Sequence, residues 1–138
     1  MSKVILITGT SSGFGRTIAE KLHFEGYTVI GTSRNAEKLN SDYLTIKLDI
    51  NDYEASKSEV DLIIKKYGKI DILINNAGIN ITGPAETIKM HDVKRVFDTN
   101  FFSQLNLIQT VLPHMRSKKK GLIINITSIA GYLGLPFW

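Results

Sequence analysis

The chain has 138 residues, of which 43% are hydrophobic and 22% charged, and its formal net charge is +4. This composition is typical of a single globular domain with a hydrophobic core and excludes a disordered chain. The absence of cysteine excludes disulfides and thiolate-ligated metals, and no metal site is predicted. No apolar run is long enough to span a bilayer and no signal-peptide pattern is present, so we expect a cytoplasmic location.

Positive charge is most concentrated at Lys118-Lys119-Lys120. No aromatic residues are interleaved with these lysines, as a nucleic-acid-binding surface would favour, whereas cations stabilise the C-terminus of a preceding helix. We therefore interpret the cluster as a solvated turn after a helix and predict no nucleic-acid partner.

Apolar runs typical of buried strands alternate with helical patterns along the chain. Strands are predicted at residues 4–7, 27–31, 43–48, 70–75 and 122–126. The alternation indicates βαβ units and therefore a doubly wound parallel sheet of about five strands, an α/β fold of the Rossmann type. Residues 1–138 are expected to form one domain, because no repeat or linker interrupts the pattern.

Three longer segments have helical spacing, and a polar segment at 35–40 has room for one or two turns. One helix is predicted to begin at Asp52 and to end at Gly68, and another to cover 90–117, with Pro113 kinking or shortening it. The first helix follows residue 12, and its apolar side is predicted to consist of Phe14, Ile18 and Leu22.

A glycine-rich stretch joins the first strand to the first helix. Residues 8–15 read Thr-Gly-Thr-Ser-Ser-Gly-Phe-Gly, with the spacing G-x-x-x-G-x-G rather than the G-x-G-x-x-G of the common dinucleotide fingerprint. Glycines let the backbone turn sharply and approach a ligand, and the N–H groups at a helix start point at an anion. The arrangement of strand, turn and helix predicts a phosphate-binding site.

The second predicted strand ends in Ser33 and Arg34. NAD sites commonly place a carboxylate at this point to bind the ribose 2′-hydroxyl, and none is present. A guanidinium can instead pair with a 2′-phosphate through two charge-assisted hydrogen bonds. We therefore favour NADP over NAD, the alternative being a surface arginine in a polar loop.

Two more polar stretches follow predicted strands. Asp49 and Ile50 follow the third strand, where the carboxylate could accept a hydrogen bond from an adenine amino group or simply cap a turn or helix. The sequence Asn-Asn-Ala-Gly at 75–78 follows the fourth strand and suits either close approach to a flat ligand or an Asx turn. Because the carboxyl ends of parallel strands share one sheet edge, we expect both stretches near the glycine-rich turn.

These motifs together resemble the short-chain dehydrogenase/reductase family over the whole chain. The resemblance is carried by Thr-Gly-x-x-x-Gly-x-Gly at 8–15, Asn-Asn-Ala-Gly at 75–78, Asn100 after Asp-Thr, and Asn-Ile-Thr-Ser at 125–128. It implies an NADP-dependent oxidoreductase that interconverts an alcohol and a carbonyl compound by hydride transfer, and a homo-oligomeric full-length protein. The Ser-Ser-Gly-Phe-Gly form is similar to members that act on hydroxysteroids, retinoids or related alcohols.

The resemblance also implies residue roles. Asn100 would hold a proton-relay water by bending a helix, and Ser128 would hydrogen-bond the substrate oxygen, so both are predicted to be catalytic. Each also has a purely structural reading, as an amide within a helix or a polar residue at a strand end. The predicted cofactor-binding residues are Gly9, Ser11, Ser12, Gly13, Phe14, Gly15, Ser33, Arg34, Asp49, Ile50, Asn76, Ala77 and Gly78.

The family's general acid/base is a tyrosine in a Tyr-x-x-x-Lys motif about a dozen residues beyond the serine. Only Tyr132 follows Ser128, which is too close, and Pro136 stands where the lysine is needed. Loss of a positioned acid/base typically lowers the rate by about 10²–10⁴. We therefore expect a C-terminally truncated portion of a longer reductase, inactive alone, whose apolar stretch at 132–138 packs on a missing partner.

Two other functions remain open at this point. A non-catalytic dinucleotide-binding regulatory protein would be distinguished by the residues that follow Trp138 in the parent gene. A Rossmann-like methyltransferase would bind S-adenosylmethionine and would carry an acidic residue at the end of the second strand, against which Ser33 and Arg34 argue. The substrate cannot be read from these residues.

Overall fold

The computed structural model describes residues 2–134, which form a five-stranded sheet flanked by helices. The strand order is β3-β2-β1-β4-β5, and every neighbouring pair is parallel. The doubly wound parallel sheet is therefore confirmed. The strands are β1 Val4–Ile7, β2 Thr28–Ser33, β3 Leu44–Lys47, β4 Ile72–Asn75 and β5 Leu122–Asn125.

Helices cover both faces of the sheet. On one face α2 and α4 pack their buried side chains, among them Val60 and Leu107, against Leu6 and Leu73 of the sheet. On the other face α1 packs Ala19 against the sheet. The α-helices are α1 Gly13–Phe24, α2 Tyr53–Tyr67, α3 Met90–Phe97 and α4 Ser103–Ser117.

The predicted ends of α2 are confirmed by its capping contacts. A carboxylate oxygen of Asp52 accepts a hydrogen bond from the N–H of Ala55 at 2.9 Å. Gly68 adopts a left-handed φ of 77°, and its N–H bonds the carbonyl of Ile64. The polar segment at 35–40 contains one 3₁₀ turn, Ala36–Lys38.

The helical segment predicted at 90–117 is irregular before α4 and not at Pro113. α4 continues through Pro113 to Ser117, so the expected shortening at Pro113 is wrong. The proline removes one backbone hydrogen bond, but the buried side chains of Val111 and Met115 on either side hold the helix against its neighbours. The irregularity lies instead in a π-helical turn, Asp98–Phe102, between α3 and α4.

The apolar stretch at 132–138 is described only in part. Tyr132 is 94% exposed and Leu133 is 50% exposed, while residues 135–138 lie outside the described residues. Within residues 2–134, no helix has both the length and the apolar character needed to cross a membrane.

The carboxylate of Asp71 joins the residue before β4 to the first residue of β1. Oδ2 of Asp71 accepts a hydrogen bond from the N–H of Val4 at 2.8 Å and pairs with the ammonium of Lys69 at 2.8 Å. Partial burial raises the pKa of Asp71, but the hydrogen bond from Lys69, the N–H of Val4 and the charges of Lys69 and Lys120 outweigh it, so that the pKa lies below its usual value.

Replacing Asp71 by Asn should lower the free energy of unfolding by about 1 kcal/mol near neutral pH, because the charge-assisted hydrogen bonds weaken. A carboxyl whose pKa is lowered by folding stabilises the fold above its unfolded pKa of about 3.9 and loses this effect as the pH falls through the folded pKa. Urea unfolding should show a full difference at about pH 6 that shrinks as the pH falls below the unfolded pKa and through the lower folded pKa of Asp71. The exposed Asp42→Asn variant is the control, and a difference constant across this range would contradict the assignment.

Candidate cofactor site

The candidate site lies at the carboxyl ends of β1 and β4, between which the strand order reverses. The hydroxyl oxygen of Thr8 accepts hydrogen bonds from the N–H groups of Asn76 and Ala77, both at 3.0 Å. In return, the side-chain amide of Asn76 donates to the carbonyls of Thr8 and Gly9 at 2.9 and 3.0 Å. These four bonds join the glycine-rich turn to the Asn-Asn-Ala-Gly turn as one rigid unit.

Close packing explains two of the three glycines in the first turn. Gly9 has a φ of +71°, and a Cβ placed there would lie 2.8 Å from Cα of Ala77. A Cβ on Gly15 would overlap the side-chain nitrogen of Asn76 and the carbonyl oxygen of Gly9. Both positions therefore need glycine so that the two turns can touch.

The start of α1 has the electrostatics of an anion site. Ser12 precedes the helix with extended backbone, and its side chain makes no capping hydrogen bond. The first turn of α1 carries no acidic residue. Its N–H groups and the positive end of the helix dipole therefore remain available to an anion such as a pyrophosphate.

A cavity of about 680 Å³ opens above this edge of the sheet. Gly13, Asn100 and Ser128 are not part of its lining. Residues that sequence reasoning missed also line the cavity: Thr32, Leu48, Asn51, Ile79, Arg95 and Thr99. The cavity brings together twelve of the thirteen predicted cofactor-binding residues, namely Gly9, Ser11, Ser12, Phe14, Gly15, Ser33, Arg34, Asp49, Ile50, Asn76, Ala77 and Gly78.

Phe14 does not belong to the apolar core side of α1. Its side chain is 78% exposed and lines the cavity, whereas Ile18 and Leu22 pack against the core as predicted. The expectation of core packing for Phe14 is therefore wrong. Phe14 lies in the first turn of α1, where it borders the cavity and belongs to neither cluster of core side chains.

The loop after β3 forms a second wall of the cavity. Oδ1 of Asp49 accepts a hydrogen bond from the N–H of Asn51 at 3.0 Å, which is an Asx turn. Its other carboxylate oxygen remains able to accept from a ligand. Ile50 is 5% exposed and anchors the loop in the core.

Two guanidinium groups and one carboxylate, that of Asp49, line the cavity. Arg34 follows β2 and is exposed, while Ser33 is buried and its hydroxyl accepts from the N–H of Asn35 at 3.1 Å. Arg95 on α3 pairs with Asp92 at 3.5 Å. Thr99 belongs to the Asp-Thr-Asn motif, and Arg95 lies four residues before it. Because residues four apart lie on the same face of a helix, this spacing was a sequence signal for both residues.

The two predicted catalytic residues lie beyond this cavity lining. The side chain of Asn100 accepts from the N–H of Ile79 at 2.9 Å and donates to the carbonyl of Ile79 at 2.8 Å, within the π-helical turn. Ser128 follows β5, is exposed, and accepts from the N–H of Ala130 at 3.1 Å. Their catalytic roles remain predictions.

Two tyrosines elsewhere in the chain have a lysine four residues later. The hydroxyl of Tyr43 bonds the carbonyl of Thr10 at 3.3 Å, and Tyr43 is 5% exposed, so this ring is part of the core. Tyr53 lies in the first turn of α2 and is 41% exposed. Neither tyrosine lines the cavity. No three His, Asp or Glu side chains within residues 2–134 come together as a metal site.

The sequence model of a family described as short chain dehydrogenase matches residues 3–138. The chain belongs to the short-chain dehydrogenase family. The members of this family to which the chain is similar are named as oxidoreductases.

Two relatives and one solved structure show the extent of the similarity. The chain is 40% identical over 135 residues to a 3-ketodihydrosphingosine reductase of Bacteroides thetaiotaomicron, covering 98% of this chain and 50% of the relative. It is 39% identical to a serine 3-dehydrogenase of Rhizobium radiobacter, covering 97% of this chain and 58% of the relative. The structure of ElxO with NADP bound superposes with a TM-score of 0.93 at 34% identity, over 99% of this chain and 60% of that one. The chain thus spans about half the length of the relatives it matches.

The contact between the two turns of this short-chain dehydrogenase can be tested at Gly15. Replacing Gly15 by Ala should lower the free energy of unfolding by about 1–3 kcal/mol, because the new methyl group overlaps Asn76 and Gly9. Gly131→Ala is the matched control, since a Cβ there meets open space, and it should change stability by less than about 0.5 kcal/mol. Denaturant unfolding measures both, and equal stability of the two variants would contradict the proposed packing.

Proposed function

We propose that the whole protein is an NADP-dependent oxidoreductase that interconverts an alcohol and a carbonyl compound by hydride transfer. The described residues would supply the half of the site that holds the adenine end of the cofactor. The observation that carries this proposal is the position of Arg34, which follows β2 and lines the cavity where an NAD site would place a carboxylate.

The positive charge of the Arg34 guanidinium favours a phosphate over a hydroxyl as its ligand. Ser33 and Arg34 both line the cavity, but Ser33 is buried and its hydroxyl already accepts from the backbone, so the exposed guanidinium is the charged group at this strand end. A 2′-phosphate can accept two parallel hydrogen bonds from it. The similarity to ElxO, solved with NADP bound, supports the same choice of cofactor.

The remaining cavity residues fit the other parts of a dinucleotide. The N–H groups at the start of α1 would hold the pyrophosphate, and Gly9, packed against Ala77, would present backbone to it without a side chain of its own. The open oxygen of Asp49 would accept from the adenine amino group. The bound cofactor would supply the hydride chemistry, and these residues would bind and orient it.

The catalytic half of the proposal rests on Asn100 and Ser128. Asn100 would hold a water for proton relay, and Ser128 would bond the oxygen of the substrate. No Tyr-x-x-x-Lys motif follows Ser128 within the 138 residues. We therefore expect this chain by itself to bind NADP(H) weakly and to show little or no dehydrogenase activity.

A homo-oligomer of the whole protein belongs to the same proposal. Phe101 and Phe102 are 56% and 47% exposed within residues 98–117, for which the family resemblance implies subunit contacts. Apolar side chains of this size at the surface favour association.

Arg34 can be tested by fluorescence titration of the chain with NADPH and NADH. Arg34→Ala should weaken NADPH binding about tenfold and leave NADH binding nearly unchanged, because a charge-assisted pair with an exposed arginine is lost only for the phosphorylated cofactor. Arg116→Ala, in the last turn of α4 and outside the cavity lining, is the control for loss of one positive charge. Equal weakening of both cofactors, or a preference of the unmodified chain for NADH, would overturn the assignment.

A further inference from the structure

We propose that Asn51 and Thr99 are positioning residues that couple the adenine-side loop to Asn100. The proposal deepens the proposed function, because it links the cofactor end of the site to a residue expected to act in proton transfer. It rests on a path of hydrogen bonds and neighbouring residues that joins the loop after β3 to the π-helical turn.

The first contact of this path joins two elements that are distant in sequence. The side-chain amide of Asn51 donates to the hydroxyl of Thr99 at 3.1 Å, across 48 positions of the chain. Both residues line the cavity, and Thr99 is 7% exposed. The hydrogen bond is partly buried, because Thr99 is buried although Asn51 is exposed, and losing one partner leaves the other without this bond.

Asn51 is itself fixed by the residue expected to contact adenine. Its N–H donates to the carboxylate of Asp49 at 3.0 Å. The backbone N–H of Asp52 also bonds the carbonyl of Asp49 at 3.0 Å, and Asp52 then caps α2. A ligand that orders the Asp49 carboxylate therefore also orders the residue that holds Thr99.

Thr99 lies in the π-helical turn Asp98–Phe102 and is held there by hydrogen bonds from two side chains. The N–H of Ser103 bonds the carbonyl of Asp98, five residues earlier, rather than that of Thr99. The hydroxyl of Ser103 instead donates to the carbonyl of Thr99 at 2.6 Å. Thr99 is thus held at its carbonyl by Ser103 and at its side chain by Asn51. Side-chain anchors of this kind are needed because π-helical turns are rare and intrinsically less stable than α-helix.

Asn100 follows Thr99 in the same turn and holds the loop after β4. Its side chain makes both hydrogen bonds to the backbone of Ile79, at 2.9 and 2.8 Å. A Cβ placed on the preceding Gly78 would lie 3.4 Å from Oδ1 of Asn100, so this contact is close. A rotation of the π-helical turn after loss of the Thr99 anchor would move Asn100 away from Ile79.

The backbone N–H of Ile79 is the readout, because its acceptor is the side chain of Asn100. Amide hydrogen exchange of the ligand-free chain would compare Thr99→Val, which removes the hydroxyl, with Thr99→Ser, which keeps it. We expect Thr99→Val and Asn51→Ala each to speed exchange of the Ile79 amide by roughly three- to tenfold, the effect of about one hydrogen bond. Thr99→Ser should behave like the unmodified chain, and the Asn76 amide, bonded to Thr8, should be unaffected.

The double variant Asn51→Ala, Thr99→Val completes the test. If the two residues act through one bond, the double variant should exchange no faster at Ile79 than either single variant. Additive effects, or Thr99→Ser exchanging as fast as Thr99→Val, would overturn the proposal. Asn51 is exposed, so its variant is expected to fold even if a change at the buried Thr99 disturbs packing.

A second arm uses adenosine 2′,5′-bisphosphate, which carries only the adenine end of NADP. At saturation it should slow exchange of the Ile79 amide in the unmodified chain and in Thr99→Ser, and should not do so in Thr99→Val. Equal slowing in all three would overturn the coupling. Absence of binding to the unmodified chain would contradict the proposed function alone, and the comparison without ligand would then decide the inference.

Discussion

The side-chain amide of Asn76 joins the two turns on which the site depends. Its hydrogen bonds to the carbonyls of Thr8 and Gly9 cross the gap at which the sheet reverses its strand order. Parallel strands leave a crevice at such a point, and backbone carbonyls exposed there would otherwise need water. By satisfying two of them, Asn76 closes the base of the crevice and brings the turns close enough to require glycine at positions 9 and 15. The cavity above therefore has a floor of backbone and small side chains, suited to a flat, charged ligand.

The walls of the cavity differ in chemistry along its length. Arg34 and the start of α1 supply positive charge, and Asp49 supplies a single acceptor. The predicted catalytic residues lie outside the cavity lining, with Asn100 held by Ile79 and Ser128 exposed after β5. The described residues thus bring most of the predicted cofactor-binding residues together around the cavity, whereas Ser128 makes few contacts. This asymmetry fits a chain that spans about half the length of its relatives.

The sequence predicted the strands because short runs rich in apolar and β-branched residues recur between helical patterns, although only the central strands are largely buried and β3 and β5 are partly exposed. It predicted the ends of α2 because Asp52 and Gly68 satisfy backbone groups locally. It failed for Phe14, because helical spacing alone does not show that the first turn of α1 borders the cavity. The shortening that it allowed at Pro113 is wrong, because tertiary packing outweighed a local propensity. Arg95 and Thr99 were missed although helical spacing was a signal for both, because the contact of Thr99 with Asn51, 48 positions away, is visible only in the folded chain. Local motifs therefore predicted which turns line the cavity, while the contacts between the turns needed the structure.

Nuclear magnetic resonance mapping of the chain with added NADP⁺ tests most directly whether the cofactor binds in the cavity at the glycine-rich turn. Backbone amide shifts should change at Gly9, Gly15 and Ile50, which line the cavity. They should remain unchanged at Gly68 and Lys120, which line a smaller pocket formed by different residues. Shift changes confined to that second pocket, or absent from the cavity at saturating NADP⁺, would contradict the assignment of the glycine-rich turn as the dinucleotide site.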